Sequence, residues 1–380
     1  MSELGRYFDC NATTPMSEAA RTAWASCAEE YWQNPSSLYR EAGLAKQRLE
    51  ECREDLADCL GIDEPERIIF TSGATEANNA IIGYFGRHLS GLVAVSGIEH
   101  PCVEASASHY LGEARTRTIP VDPESGVIDL DLVSSWIRNR EVEAVSVMAA
   151  NNETGTLQPW LELASLCRER GVYFHSDAAQ WIGKLPTGGL GACDFLTGSG
   201  HKFGGGKGCG FLVLPEEGRA EDFTGLVGGP QEEGRRAGTE NLPAVAAMVT
   251  ALEAHGDDSL SRLPGERSGG RNAFEEQVES TIGARAIGSK GERLWNTSMI
   301  LLPHTKNLKW LTRLSQMGFS VSTGSACSAG RGNPSRVMAS MGLEFEEMGR
   351  VLRLSGGWET TTEDWATLAA ALQEVDRVLR

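Results

Sequence analysis

Between Glu66 and Leu214, short apolar runs alternate with amphipathic stretches, and this rhythm narrows the possible folds more than any other feature. The runs are RIIF (Arg67 to Phe70), LVAVS (Leu92 to Ser96), AVSVMA (Ala144 to Ala149), VYFHS (Val172 to Ser176), DFLTGS (Asp194 to Ser199) and GFLVL (Gly210 to Leu214). Each is short, bounded by polar or glycine-rich residues, and reads as a buried strand. Stretches such as LELASLCRERG (Leu161 to Gly171) carry apolar residues at helical spacing between them. Strands buried on both faces need cover on both sides, so the alternation predicts an α/β fold: a mostly parallel sheet flanked by helices. Ligands of such sheets bind just beyond the carboxyl ends of the strands.

From about Pro243 the rhythm changes. Helical patterns run through PAVAAMVTALEAHG and GRNAFEEQVESTI, and strand patterns appear at TSMILL (Thr297 to Leu302) and RVLRLS (Arg350 to Ser355). An amphipathic helix, TEDWATLAAALQEVDRVL, follows. This predicts a smaller α+β domain, with the N-terminal segment to about Gly61 packed against it. The boundaries are drawn at 15–250 for the large domain and at 1–14 with 251–380 for the small one. A chain of 380 residues with 41% hydrophobic content can fill two such cores.

Five polar clusters fall at strand ends. In TGSGHKFGGGKGCG, Lys202 follows a strand and a Ser-Gly-His turn. A lysine desolvated there loses basicity and its amine becomes free to form a Schiff base, with Ser199 and His201 placed to bond a phosphate. The same spacing also suits a surface lysine in a glycine loop. In HSDAAQ, Asp177 lies just past a strand, with Gln180 three residues on. A carboxylate there can hold a pyridinium nitrogen protonated, or can simply cap a helix. In TSGATEANN, Ala74 and Thr75 open a helix whose backbone N–H groups form an anion site, or an ordinary Ser/Thr cap. In SGIEHPCVEA, His100 can stack on a ring and move protons, or be structural. In AANNETG, Asn151 and Asn152 are placed to bond a ring hydroxyl. Each has a bland explanation alone; together, at one edge of one sheet, they point to a cofactor site.

TGSACSAGRGN surrounds Cys327 with glycine, serine and alanine, giving the thiol no apolar neighbours to pack with. Such a stretch predicts a pliant loop, either an incidental surface turn or a tether for a thiol that must travel. None of the nine cysteines forms a C-x-x-C pair, so neither a metal centre nor a redox motif is predicted. Their odd number and irregular spacing fit reduced thiols in a cytoplasmic protein. No signal-peptide pattern opens the chain and no apolar run approaches the roughly 20 residues of a membrane span. A soluble protein is expected. The net charge of -17 disfavours direct nucleic-acid or anionic-membrane binding and favours a basic protein partner.

With these motifs in order, the chain resembles the pyridoxal-phosphate enzymes of fold type I, aminotransferase class V, and among them the NifS/IscS-type cysteine desulfurases of the long-loop group. The resemblance runs from YFDCNATTP through NPSSLYREAG, IIFTSGATEANN, NNETG, HSDAAQ, SGHKFGGGKG and RRAGTEN to STGSACSAG, NPSRVMASMG and VLRLSGG. It implies a seven-stranded-type sheet in the large domain, with the cysteine loop carried by the small one. Lys202 would hold pyridoxal 5'-phosphate covalently, Asp177 would pair with its ring nitrogen, and His100 would stack on the ring and transfer protons. Gln180 and Asn152 would lie beside the phenolic oxygen; Ala74, Thr75, Ser199 and His201 would hold the phosphate. Thr239 would reach the phosphate of a partner subunit, which implies a homodimer. Arg353, with Asn152, would bind the carboxylate of the substrate L-cysteine. Cys327 would take the sulfur as a persulfide, leave L-alanine behind, and deliver sulfur to an acceptor protein in iron-sulfur cluster assembly or thiolation.

Three positions depart from the family pattern. Trp358 stands where an arginine is usual, Pro230 replaces a common glycine, and Cys10 is an uncommon choice. On the same scaffold, a selenocysteine lyase or another C–S lyase without a persulfide relay is the alternative reaction. A non-catalytic scaffold is the alternative class, and the presence of Lys202 argues against it.

Overall fold

The computed structural model of the chain describes residues 6–216, 218–324 and 335–380. The first half alternates as the pattern predicts. Helices α1 (Glu18–Glu30) and α2 (Arg40–Leu60) precede β1 (Ile68–Thr71), α3 (Ala74–His88), β2 (Val93–Ser96) and α4 (Pro101–Tyr110). Then come β3 (Thr116–Ile119), α5 (Leu130–Arg138), β4 (Ala144–Ser146), α6 (Trp160–Arg170), β5 (Tyr173–Asp177), β6 (Phe195–Ser199), β7 (Gly210–Val213) and α7 (Leu242–Glu253). The seven strands form one sheet in the order β1-β7-β6-β5-β4-β2-β3. Neighbours from β6 through β3 are parallel, while β7 runs antiparallel to both β6 and β1.

Successive side chains of a strand point to opposite faces, and here they enter two separate cores. Ala94, Val145, Phe174, Leu196 and Phe211 pack on one face with α2, α5, α6 and α7. Val93, Val95, Ala144, Phe195 and Leu212 pack on the other with α3 and α4. Burying a large apolar side chain contributes roughly 1.5–3 kcal/mol, which is why the central strands read as unbroken apolar runs. The edge strand β3, Thr-Arg-Thr-Ile, is half-exposed, and its alternating polarity hid it from a search for apolar runs.

The second half holds α8 (Asp257–Ile282), β8 (Arg285–Ala286), β9 (Thr297–Leu301), α9 (Asn307–Gln316), α10 (Arg336–Ser340), α11 (Phe345–Met348), β10 (Val351–Ser355) and α12 (Thr362–Leu379). An antiparallel sheet, β10-β9-β8, forms its centre. The helix expected near Gly270 begins at Asp257 and continues through Pro264. A Cβ on Gly270 would stand 3.1 Å from the Thr362 Cα, so this glycine reflects close approach to α12 rather than a helix break.

The N-terminal segment corrects one expectation. Only its first residues join the small sheet: Tyr7 bridges Ser320, Asp9 bridges Ser355, and Phe8 is buried with Phe274, Leu354 and Trp365. Helices α1 and α2 pack into the large core instead, through Ala20, Cys27, Leu49, Leu56 and Leu60. The chain therefore passes from the small sheet to the large one at residues 9–14, beside the carboxyl ends of β5 and β6.

Candidate functional site

A cavity of about 520 Å³ opens at those strand ends. That volume suits one small ligand. Its walls include Ala74, Thr75, His100, Asn152, Asp177, Gln180, Ser199, His201 and Lys202, so residues from five separate motifs meet here. Arg353 and Thr239 do not line it. Cys327 lies outside the described residues.

The Lys202 amine donates to the carbonyls of Asn11 (2.6 Å) and Ala12 (3.0 Å). Burial, reinforced by the Arg353 charge, lowers its pKa to about 8, against the opposing pull of Asp177 and Asp9. A usable fraction of neutral, nucleophilic amine therefore exists near neutral pH. Asp177 is buried at the end of β5. Its Oδ2 accepts from the Asn78 amide (2.8 Å) and its Oδ1 from the Ala179 N–H (3.0 Å).

Asn78 is a residue the sequence reading passed over. It is fully buried on α3, and its Oδ1 accepts from Thr197 Oγ1 (2.8 Å) and His175 Nε2 (3.0 Å). Its amide also reaches Cys102 Sγ at 3.2 Å. The signal was a polar residue among the apolar positions of the buried helix face, beside Ala77 and Ile81. The bonding fixes the amide orientation, so an N–H faces Asp177.

His100 caps α4: its Nδ1 accepts from the Cys102 N–H (3.2 Å) and lies 2.9 Å from Cys102 Sγ. A backbone N–H only donates, so Nδ1 carries the lone pair and the proton sits on Nε2. Burial holds the imidazole below its usual pKa, and hence neutral. His201 is likewise neutral, lowered to about 4 by burial and the neighbouring Lys202, Lys207 and Lys184 charges.

The start of α3 forms an anion site. Its cap is Gly73, at φ +150°, and no side chain bonds the first-turn N–H groups. A Cβ on Gly210 would fall 2.6 Å from the Gly73 Cα, so β7 and this turn meet backbone to backbone. Glu76 in the same turn also lines the cavity, its carboxylate paired. Arg236 (2.8 Å) and Ser72 bind its carboxylate and hold its pKa below the usual range, although burial alone would raise it. The first turn is thereby left to an outside anion, with Ser199 and His201 alongside.

Three further candidates sit around this centre. Asn152 offers a buried Oδ1 with no partner among the described residues, an atom that calls for a ligand. The buried Arg353 pairs with Asp9 (2.7 Å) and donates to the Asn152 carbonyl (3.0 Å), while its Nε has no described partner. Thr239 is exposed, away from the cavity.

The set fits pyridoxal phosphate: an amine of depressed basicity, a buried carboxylate for a ring nitrogen, and an uncapped helix start for a phosphate. Among the described residues no cluster of side chains suits a metal ion.

Comparison with known proteins agrees with this chemistry. The aminotransferase class-V family profile matches residues 6–368. The cysteine desulfurase IscS of Methanosarcina thermophila is 33% identical over 385 residues, covering 98% of this chain and 92% of that protein. The NifS-like protein of Rickettsia africae superposes with a TM-score of 0.85 at 29% identity, covering 97% and 98% of the two chains. The structure of SspA in complex with cysteine superposes with a TM-score of 0.79 at 29% identity, covering 94% and 100%.

Proposed function

The chain belongs to the class-V aminotransferases and, within them, to the NifS/IscS-type cysteine desulfurases, and on that premise we propose which of its residues carry the reaction. It is a pyridoxal-phosphate enzyme that removes sulfur from L-cysteine and passes it to an acceptor. The observation that carries the assignment of roles is the Lys202 amine, lowered to about 8 and sharing one cavity with Asp177 and the uncapped start of α3.

Pyridoxal phosphate, when bound, supplies an electron sink that weakens the Cβ–Sγ bond of L-cysteine. Lys202 would hold it covalently, and the free Lys202 Nζ would take and return the proton at the substrate Cα. Asp177, oriented by Asn78 and Ala179, would hold a proton on the ring nitrogen. Ala74, Thr75, Ser199 and His201 would hold the phosphate. His100 would lie against the ring and present the proton on its Nε2. Gln180 would donate to the phenolic oxygen, with Asn152 beside it. Arg353, with Asn152, would take the substrate carboxylate; its Nε has no partner among the described residues.

Cys327 is the nucleophile. Its thiolate attacks the substrate Sγ; an S–S bond forms as Cβ–Sγ breaks, and the carbon skeleton leaves as L-alanine. The described residues flanking this loop meet at one buried carboxylate. Ser335 donates to Glu153 Oε2 (2.7 Å), and a Cβ on Gly324 would lie 3.3 Å from the same oxygen.

The working unit is a homodimer. Trp32 (74% exposed), Leu38, Tyr39 and Val227 (88% exposed) leave apolar surface uncovered on the single chain, and Thr239 is exposed and free to enter a neighbour's site. The acceptor is a protein of iron-sulfur cluster assembly or thiolation, and the acidic surface favours a basic docking face.

Mass spectrometry after treatment with L-cysteine, without reductant, tests the relay. One extra sulfur, removable by dithiothreitol, is expected on the peptide containing Cys327, and Cys327→Ser should bind cofactor yet yield no alanine at a useful rate. Wild-type alanine release by Cys327→Ser would replace the relay with simple lyase chemistry.

A further inference from the structure

Lys184 is 1% exposed, and no carboxylate lies within ion-pair distance of it among the described residues. A buried ammonium without a counter-ion is costly, and burial lowers its pKa to about 7. Its Nζ donates to the Gln180 side-chain Oε1 (2.7 Å) and to the Gln180 carbonyl (3.2 Å). At the other end of the same amide, Gln180 Nε2 donates to the Asn11 carbonyl (2.9 Å). That carbonyl also accepts from Lys202 (2.6 Å).

The Asn11 carbonyl can only accept, so the Gln180 nitrogen faces it and the Gln180 oxygen faces Lys184, whose amine can donate to it in either protonation state. The amide oxygen is committed to Lys184, away from the cavity. The amide nitrogen keeps one N–H for Asn11 and one for the cavity that Gln180 lines. Gln180 thereby offers the cavity a hydrogen-bond donor and no acceptor.

We propose that Lys184 is a positioning residue for the cofactor site: by holding Gln180 Oε1 it turns the Gln180 N–H toward the cavity and selects a ligand with an anionic oxygen at that wall. The proposal rests on the assignment of the cavity to pyridoxal phosphate, whose phenolic oxygen is such a group. Lys184 itself does not line the cavity and touches no ligand there.

The test compares apoproteins. Lys184→Met keeps the length of the side chain and removes the donor. Its thermal midpoint should stay close to that of wild type, because removal of a buried amine without a counter-ion offsets the loss of its two hydrogen bonds. Its dissociation constant for pyridoxal phosphate should rise about tenfold, the cost of losing one buried bond. The ratio of the two near-ultraviolet and visible bands of the bound cofactor should change, since the donor to its phenolic oxygen is no longer fixed. Gln180→Leu should shift the bands the same way, and the double variant should add little to either single one. A second variant covers failure of Lys184→Met to fold. Gln180→Glu keeps Lys184 paired but replaces the donor with an acceptor oxygen facing both the Asn11 carbonyl and the cavity, and should weaken cofactor binding. A Lys184→Met protein that loses stability but keeps wild-type affinity and spectrum would overturn the proposal. So would wild-type affinity in Gln180→Glu. Absence of cofactor binding in wild type would instead overturn the assignment of the cavity.

Discussion

Lys202 is an ordinary amino acid whose chemistry is set by where it sits. In water its amine would be almost fully protonated at pH 7; burial brings its pKa to about 8. Covalent capture of the cofactor needs the neutral amine, whose share rises with pH and levels off above the pKa. The rate at which apoprotein takes up pyridoxal phosphate should therefore climb about tenfold from pH 6 to 7, reach half its plateau near pH 8, and be flat by pH 9.5. Stopped-flow absorbance measures it, and a rate still climbing tenfold per unit beyond pH 9 would contradict the assignment. Asp177 acts through charge alone. Asp177→Asn preserves size and can keep its bond to the Ala179 N–H, so fold and cofactor binding should survive. Alanine formation should fall on the order of a hundredfold or more, because a neutral amide cannot hold the ring proton. Near wild-type turnover in this variant would remove Asp177 from the mechanism.

At the scale of elements, the site depends on the ends of β2, β4, β5 and β6 and the start of α3 meeting at one cavity. One close approach is the contact of β7 with the turn before α3. Gly210 has Gly198 O and the Gly73 Cα each 2.6 Å from where its Cβ would be. Gly210→Ala forces these backbones apart. It should cost ~1–3 kcal/mol of stability, as overpacking does, and it should tilt the anion-binding turn. Urea unfolding of the apoprotein would register the first effect, and phosphate-site loss would appear as weaker cofactor retention on dialysis. A variant with wild-type values in both measurements would show that the contact is slack. The first turn of α3 also shows how an element suppresses a liability of its own sequence. Glu76 would repel a phosphate, but the Arg236 ion pair offsets its charge and the Ser72 N–H holds its carboxylate.

At the scale of the whole molecule, the short passage from Asp9 to Thr14 joins the two sheets and supplies the carbonyls that hold Lys202. Asn11 is bonded to Ser355 Oγ (3.0 Å), Thr297 Oγ1 (2.9 Å) and the Asn152 carbonyl (3.2 Å), so the small sheet and the cofactor site are fastened by one residue. A second subunit completes the arrangement if Thr239 serves its neighbour. Complementation decides this. A mixed dimer of Lys202→Ala and Thr239→Glu subunits then contains one intact site and should retain up to half of wild-type activity. A mixed dimer of wild type with a subunit bearing both changes should have almost none. Equal activity in the two pairings would mean that Thr239 takes no part, and activity in the second pairing but not the first would mean that it acts within its own chain.

The sequence by itself determined the alternating sheet and the position of each motif at a strand end, because both follow from local periodicity and from where polar residues interrupt it. Eight of the ten strands in the two sheets coincide with apolar runs of the sequence, all but β3 and β8, and Lys202, Asp177, His100 and Gln180 reach one cavity as their strand-end placement requires. The tertiary structure alone decided the rest. Edge strand β3 is held by pairing with β2, not by apolar burial. Helix α8 runs through Pro264 where local signals end it. Helices α1 and α2 join the large core rather than the small one. Asn78, Asn11 and Lys184 gain their importance from partners 99, 191 and 4 residues away, and the last of these matters only because burial removes water as its competitor. Periodicity reports which face of an element is buried. It carries no record of which distant group waits there, and that is what sets protonation, orientation and charge in the site.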